Sequence, residues 1–395
     1  MLITDVPKPE WVPTQVEELA DIEARVCECI GGKRAFVRRP PKIIKTMKSM
    51  RTHIAAGMLV PFLLLACGSY PSPAESDSSP ALDACLAGFQ HTDRNAAETW
   101  KSCQQAAEQG HPRGQISLGT LYRTGQGVTK NDAEAMRWFR KAAEQGHPAA
   151  LNNIGAMYLT GEGVTKNVEE AMKWFRQAAE QGHPLAQNSL GMIYHYGKDV
   201  AQNLEEAAKW YTKAAEQGHP LAQNNLGMMY ATGQGVAQNY VEAMKWYTKA
   251  AEQGFPLAQF NIGFMYANGQ SVEKNDVEAV KWYRRAAERG VPMAQASLGI
   301  MYAKGRGVAK DDAEALKWYT KAAEQGDPQA QNMLGAIYLS GQGTTRDVEE
   351  ALKWFKKAAE QGYPLAQQNL EQIQRTLNAA RQSNQQPTPS SGRKP

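Results

Sequence analysis

Four histidines at 36-residue intervals, His111, His147, His183 and His219, each precede a proline, and they are the set in this chain that most resembles a metal site. Neutral imidazole is a common zinc ligand, so a ladder of this kind has to be tested against geometry. Equivalent atoms in stacked helical segments lie ~8–10 Å apart, whereas the ligands of one zinc ion each sit ~2 Å from it. The position then becomes Phe255, Val291, Asp327 and Tyr363, so it accepts side chains of quite different chemistry. No metal ion and no other cofactor is expected.

Ser271-Val272-Glu273-Lys274 has the Ser-x-x-Lys form of a penicillin-recognising nucleophile. Such a site also needs Ser-Asp-Asn and Lys-Thr-Gly, and neither occurs. Ser271 stands where most comparable segments carry glycine, so a chance match is the better account and no catalytic residue is assigned. Of five cysteines, Cys85 and Cys103 are predicted to pair if the chain is exported, because closing a loop of this size adds roughly 3 kcal/mol. A reactive thiol pair or a metal site would need nearby Cys or His at ligand spacing, which these two lack.

The elements that would position these groups are repeated. Trp138, Trp174, Trp210, Trp246, Trp282, Trp318 and Trp354 are spaced 36 apart. A unit that short cannot bury an apolar face alone, so copies must stack on a shared core. From Pro148 to Gly182, one unit reads as two antiparallel helices. Ala150, Ile154 and Tyr158 share a face of the first, and Gly161 stops it. Asn167 and Glu170 form a capping box at the second, which carries Ala171, Trp174, Phe175 and Ala178 and closes at Gly182. Gly119, Gly155, Gly191, Gly227, Gly263, Gly299 and Gly335 lie inside first helices, where glycine costs about 1 kcal/mol relative to Ala. The expectation is that the Trp ring fills the space these glycines leave. The Trp ladder is therefore read as core rather than as a ligand-stacking platform.

The pattern Leu-Gly-x-x-Tyr, Gly-x-Gly-Val, then Glu-Ala-x-x-Trp-Tyr-x-x-Ala-Ala-Glu-Gln-Gly, seen from Leu226 to Gly254, resembles the Sel-one-like repeat family, which is related to tetratricopeptide repeats. The resemblance covers seven units, residues 111–362. It implies an all-α, right-handed α/α superhelical solenoid of helical hairpins and a protein-binding scaffold rather than an enzyme. Laid on the related tetratricopeptide scaffold, the concave wall is lined from first helices by Asn152, Asn188, His195, Tyr196, Asn224, Phe260, Phe264, Asn268, Lys304 and Asn332. Met192, Met228 and Ile300 fall on the same face. Asn offers donors and acceptors to an extended peptide, and Met and Phe offer apolar contact. The same asparagines could equally solvate a groove or bond to neighbouring helices. The Phe260 and Phe264 pair interrupts a position otherwise Asn, Ala, Met or Thr. A cell-wall role, in glycan binding or β-lactam hydrolysis, is the alternative, since cysteine-rich relatives have been linked to the latter; this chain lacks their Cys pair in most units.

Upstream, Lys45, Lys48 and Arg51 precede an apolar run from Ile54 to Leu65 and then Leu64-Leu65-Ala66-Cys67. This reads as a secretory signal over 47–67, the apolar run being too short to span a bilayer. Its end resembles a bacterial lipobox, which implies lipidation at Cys67 and, with Gly68 and Ser69 next, an outer-membrane lipoprotein facing the periplasm. Residues 1–46 then read as a misassigned start or an extension of unknown role, and 68–80 as a tether. A capping half unit over 81–110 and a capping helix over 363–381 flank the repeats, and 382–395 reads as a disordered tail. Of 44 Lys or Arg and 40 Asp or Glu, residues 1–67 hold 10 and 7, which leaves a near-neutral remainder with no general attraction to nucleic acid. The expected partner is a protein or peptide, membrane contact is expected only through the lipid anchor, and the chain is expected to be a monomer.

Overall fold

The computed structural model describes residues 79–90, 96–197 and 199–384, and every regular element in them is an α-helix. The signal, Cys67, the tether through residue 78 and the last 11 residues lie outside the described part. The chain divides at Ala258 into two compact units. The first contains α1 (Pro80–Gln90), α2 (Ala96–Glu108), α3 (Pro112–Thr124), α4 (Asp132–Glu144), α5 (Pro148–Thr160), α6 (Val168–Glu180), α7 (Pro184–Tyr196), α8 (Leu204–Glu216), α9 (Pro220–Thr232) and α10 (Tyr240–Glu252). Helix α11 (Pro256–Asn268) runs across the division, and the second unit continues with α12 (Asp276–Glu288), α13 (Pro292–Lys304), α14 (Asp312–Glu324), α15 (Pro328–Ser340), α16 (Val348–Glu360) and α17 (Pro364–Asn384). Within each unit, consecutive helices pack as hairpins that stack on one another.

Local chemistry explains each boundary. In the α5–α6 hairpin, His147 is extended and precedes Pro148, whose missing N–H falls in the first turn, where helix donors have no partner. Gly161 ends α5 with φ 81°, and its N–H donates to the Met157 carbonyl at 2.8 Å. The Asn167 side chain then caps α6, accepting from the Glu170 N–H at 3.0 Å. Only this half of the expected capping box forms. The Asn167 N–H is already donated to the Tyr158 carbonyl at 2.9 Å, and the Glu170 carboxylate turns outward to Lys173 at 2.8 Å. The cap thus ties α6 back to α5 as well as starting it.

The glycine inside each first helix makes room for an aromatic ring, but the ring is not the tryptophan. A Cβ on Gly155 would lie 2.8 Å from Phe175 Cδ1, and one on Gly335 the same distance from Phe355 Cδ1. Phe175 and Phe355 follow Trp174 and Trp354, so the residue after each Trp fills the space within the hairpin. The Trp reaches toward the preceding one: Trp210 joins the cluster of Phe175 and Leu190, and Trp246 joins that of Tyr211 and Leu226. Trp138, Trp210, Trp246 and Trp318 are buried, as a core role requires, while Trp174, Trp282 and Trp354 are half-buried. Lysines close several of the outer faces, with Lys141 Nζ 4.0 Å from the Trp138 ring centre and Lys213 Nζ 4.2 Å from that of Trp210.

The N-terminal cap is a complete hairpin, α1 and α2, rather than half a unit, and Cys85 and Cys103 are disulfide-bonded within it. Both are fully buried against Leu118, Leu121 and Trp138. At the other end α17 begins at Pro364 as a further first helix and has no second helix after it among the described residues.

Candidate partner-binding wall

First helices carry the predicted wall, and the structure separates its residues into two groups. Asn152, Asn188, Asn224, Asn332 and His195 are buried, none more than 7% exposed. Tyr196 and Phe264 are exposed at 42% and 38%, Asn268 and Lys304 are also exposed, and Phe260 is half-buried. The accessible wall is therefore narrower than the one laid out from sequence.

Hydrogen bonds show what the buried asparagines do. Asn225 Nδ2 on α9 donates to Asn188 Oδ1 on α7 at 3.3 Å, and Asn369 Nδ2 on α17 donates to Asn332 Oδ1 on α15 at 2.9 Å. Each bond joins two first helices, with donor and acceptor 37 residues apart. At Asn152 the corresponding residue is Ser189, whose shorter side chain does not reach, and Asn152 Oδ1 is buried without a partner. Of the two readings left open for these asparagines, bonding between helices is the one observed for Asn188 and Asn332.

The exposed part is aromatic and thioether-rich. Phe260 lies 6.5 Å from Phe264 and 5.7 Å from Tyr283, so Phe260 backs the exposed ring against the second helix. The Tyr196 ring is 4.9 Å from that of His195, which in turn lies 6.1 Å from buried Tyr211. Met192 and Met228 are half-buried one turn before Tyr196 and Thr232. Asn268 Nδ2 donates to the Phe264 carbonyl at 2.8 Å, which fixes the end of α11 beside the ring.

The recurring histidines have a structural task. His183 Nδ1 accepts the Ala186 N–H at 3.4 Å and His219 Nδ1 accepts that of Ala222 at 3.2 Å, each capping a first helix; Asp327 does the same with Ala330 at 2.7 Å. Burial holds the imidazoles of His183 and His219 down at about 4, with neighbouring histidines adding repulsion at His183. Among the described residues no group of three or more His, Cys, Asp or Glu is placed to hold a metal ion. Ser271 sits exposed in its loop and keeps the left-handed conformation of the glycine it replaces, with φ 67°.

A second polar network escaped the sequence reading. Gln187 Nε2 donates to the Ala179 carbonyl, and Gln217 Nε2 donates to Gln187 Oε1; the same pair recurs as Gln223 with Gln253, Gln295 with Gln325 and Gln331 with Gln361. The signal was present as glutamines 30 residues apart.

The repeat is matched in known proteins. The sequence profile described as Sel1 repeat fits residues 112–147, 148–183, 184–219, 220–255, 256–291, 292–327 and 328–363. One similar solved structure is c5321, a protective antigen of uropathogenic Escherichia coli strains displaying an SLR fold. It has 38% identity and a TM-score of 0.60, over 74% of this chain and 63% of that one, so the chain spans less than two thirds of that relative's length. A Sel1 repeat protein from Oxalobacter formigenes has 39% identity and a TM-score of 0.58, over 62% of this chain and 96% of that one. None of the curated proteins matches.

Proposed function

The chain belongs to the Sel1 repeat family, whose members are mostly non-enzymatic scaffolds, and from that premise we propose that it holds a protein partner against its first helices. The observation that carries this reading is the exposure of Tyr196 and Phe264 on helices whose other large apolar side chains are covered or half-covered. Aromatic rings at a surface bring large contact area at low entropic cost, and interfaces are enriched in them.

In this reading the protein performs no chemistry of its own, acts as a monomer and works at the cell envelope, tethered through a lipidated Cys67 to the outer membrane and facing the periplasm. The signal-like run and lipobox-like sequence support the location.

Affinity purification of the full chain from membranes, with mass spectrometry, tests the reading. A partner captured by the natural chain and lost with Phe260→Ala plus Phe264→Ala, without a large fall in melting temperature, is the expected result. Retention of every captured protein by that variant would overturn it. Cys67→Ser is expected to move the protein out of the membrane fraction.

A further inference from the structure

We infer that the first-helix wall takes an uncharged, apolar-rich peptide segment. This rests on the reading above that the wall is where the partner docks. The observation behind it is a partition of charge between the two helices of each of the seven repeats. Helices α3, α5, α7, α9, α11, α13 and α15 contain no Asp or Glu, and their only Lys or Arg are Arg113, Arg123 and Lys304. The second helices carry both signs and pair them on their own surfaces, as in Lys173 with Glu170, Lys209 with Glu206 and Lys317 with Glu314.

That partition selects the occupant. A Lys or Glu of a partner laid against this wall would lose hydration and meet few countercharges, a cost that an uncharged side chain avoids. Thioether, aromatic and aliphatic groups are what the wall offers instead, through Met192, Tyr196 and Met228 in the first unit and Phe264 and Ile300 in the second. Met adapts its shape to a range of apolar side chains.

The Asn188–Asn225 and Asn332–Asn369 bonds tie successive first helices side chain to side chain, so a segment that crosses one first helix reaches the next within the same unit.

Selection of a random library of displayed peptides on the immobilised full chain tests this. The enriched pool should hold at least about threefold less Asp, Glu, Lys and Arg than the input, with a matching gain in apolar residues. A synthetic peptide from that pool should change its affinity less than about twofold from low to high salt, where screening would weaken charge-based binding. Met228→Glu, and Thr232→Glu at an exposed position on the same helix, should each weaken binding roughly tenfold, while Lys209→Glu on the outer helix should not. An enriched pool dominated by charged peptides with salt-sensitive binding, still abolished by the wall variants, would overturn the inference and leave the docking site standing. No enrichment, or binding indifferent to the wall variants, would overturn the docking site as well.

Discussion

Gln217 Nε2 donates to Gln187 Oε1 at 2.7 Å, and Gln187 Nε2 donates in turn to the Ala179 carbonyl at 3.0 Å, so one buried side chain joins a helix of its own hairpin to the last turn of the one before. Gln187 is 4% exposed, whereas Gln217 is exposed and reached by water. Removing the first deletes both of its bonds, although the Ala179 carbonyl keeps the Gly182 N–H at 3.0 Å and the Gln217 amide keeps the Lys213 carbonyl at 3.4 Å; at a net worth of about 0.5–1.5 kcal/mol for each bond the loss is about 1–3 kcal/mol. Gln187→Ala should therefore destabilise by that amount in urea unfolding, and Gln217→Ala by less than about 1 kcal/mol, since water replaces its lost bond. Equal losses would show that the relay is not what holds the two hairpins. Leu151 occupies the equivalent place in α5 and packs in an apolar cluster, so that hairpin replaces the shared glutamine bond with an apolar contact.

The missing bond at Asn152 yields a gain rather than a loss. Its Oδ1 is buried and unpaired, and Ser189 stands where Asn225 and Asn369 stand for their partners. Ser189→Asn should supply the donor and stabilise the first unit by about 1 kcal/mol, the usual net worth of a satisfied bond. The control is the same substitution made with Asn152→Ala, where the gain should vanish. A gain that survives in the double variant would mean that the introduced amide found another partner.

These two relationships mark where the sequence stopped being legible. Helix existence and length followed from periodicity and punctuation: the Pro148–Gly182 segment reads as a hairpin and folds as Pro148–Thr160 and Val168–Glu180. Which of two adjacent aromatics faces the glycine did not follow, because Trp174 and Phe175 differ by one helical step and both are apolar enough to be inside. The asparagines were ambiguous for a similar reason. A polar residue on a helix face reads the same whether it meets water or a neighbouring amide, and only the donor 37 residues on decides. Phe264 was legible as a site candidate because, with Phe260, it breaks the pattern of its position, and Tyr196 because it falls on the wall that the tetratricopeptide likeness implies, while the depth of Asn332 and His195 was not, since depth depends on the neighbouring helix.

Ser271 carries strain that its neighbours avoid. The corresponding loop positions Gly163, Gly235, Gly307 and Gly343 all have φ near 70°, and Ser271 holds 67° with a side chain attached. A non-glycine residue in that region costs roughly 1–2 kcal/mol. Ser271→Gly should raise the melting temperature of the second unit, offset only partly by the greater freedom glycine has when unfolded. A lower melting temperature would show that the hydroxyl makes a compensating interaction, and would make Ser271 worth testing in a nitrocefin assay.

Acid should weaken the fold through the capping histidines. His183 and His219 are held at about 4 by burial, against an ordinary value of 6.5, and each accepts a backbone N–H at Nδ1, which protonation would prevent. The folded-state value is depressed, so between about pH 6.5 and about pH 4 the unfolded chain binds protons that the folded chain refuses. Stability then falls as pH drops through this window, and the contribution levels off below it. One pKa unit corresponds to about 1.4 kcal/mol, so the two residues together account for a few kcal/mol. Asn accepts the same N–H without titrating. Thermal melts from about pH 7 to about pH 4.5 should therefore show a smaller fall for the His183→Asn, His219→Asn double variant than for the natural chain. An unchanged fall would assign the acid sensitivity to carboxylates such as Asp276, whose pairing with Arg306 holds it below its ordinary value, and would remove the histidine caps from the account.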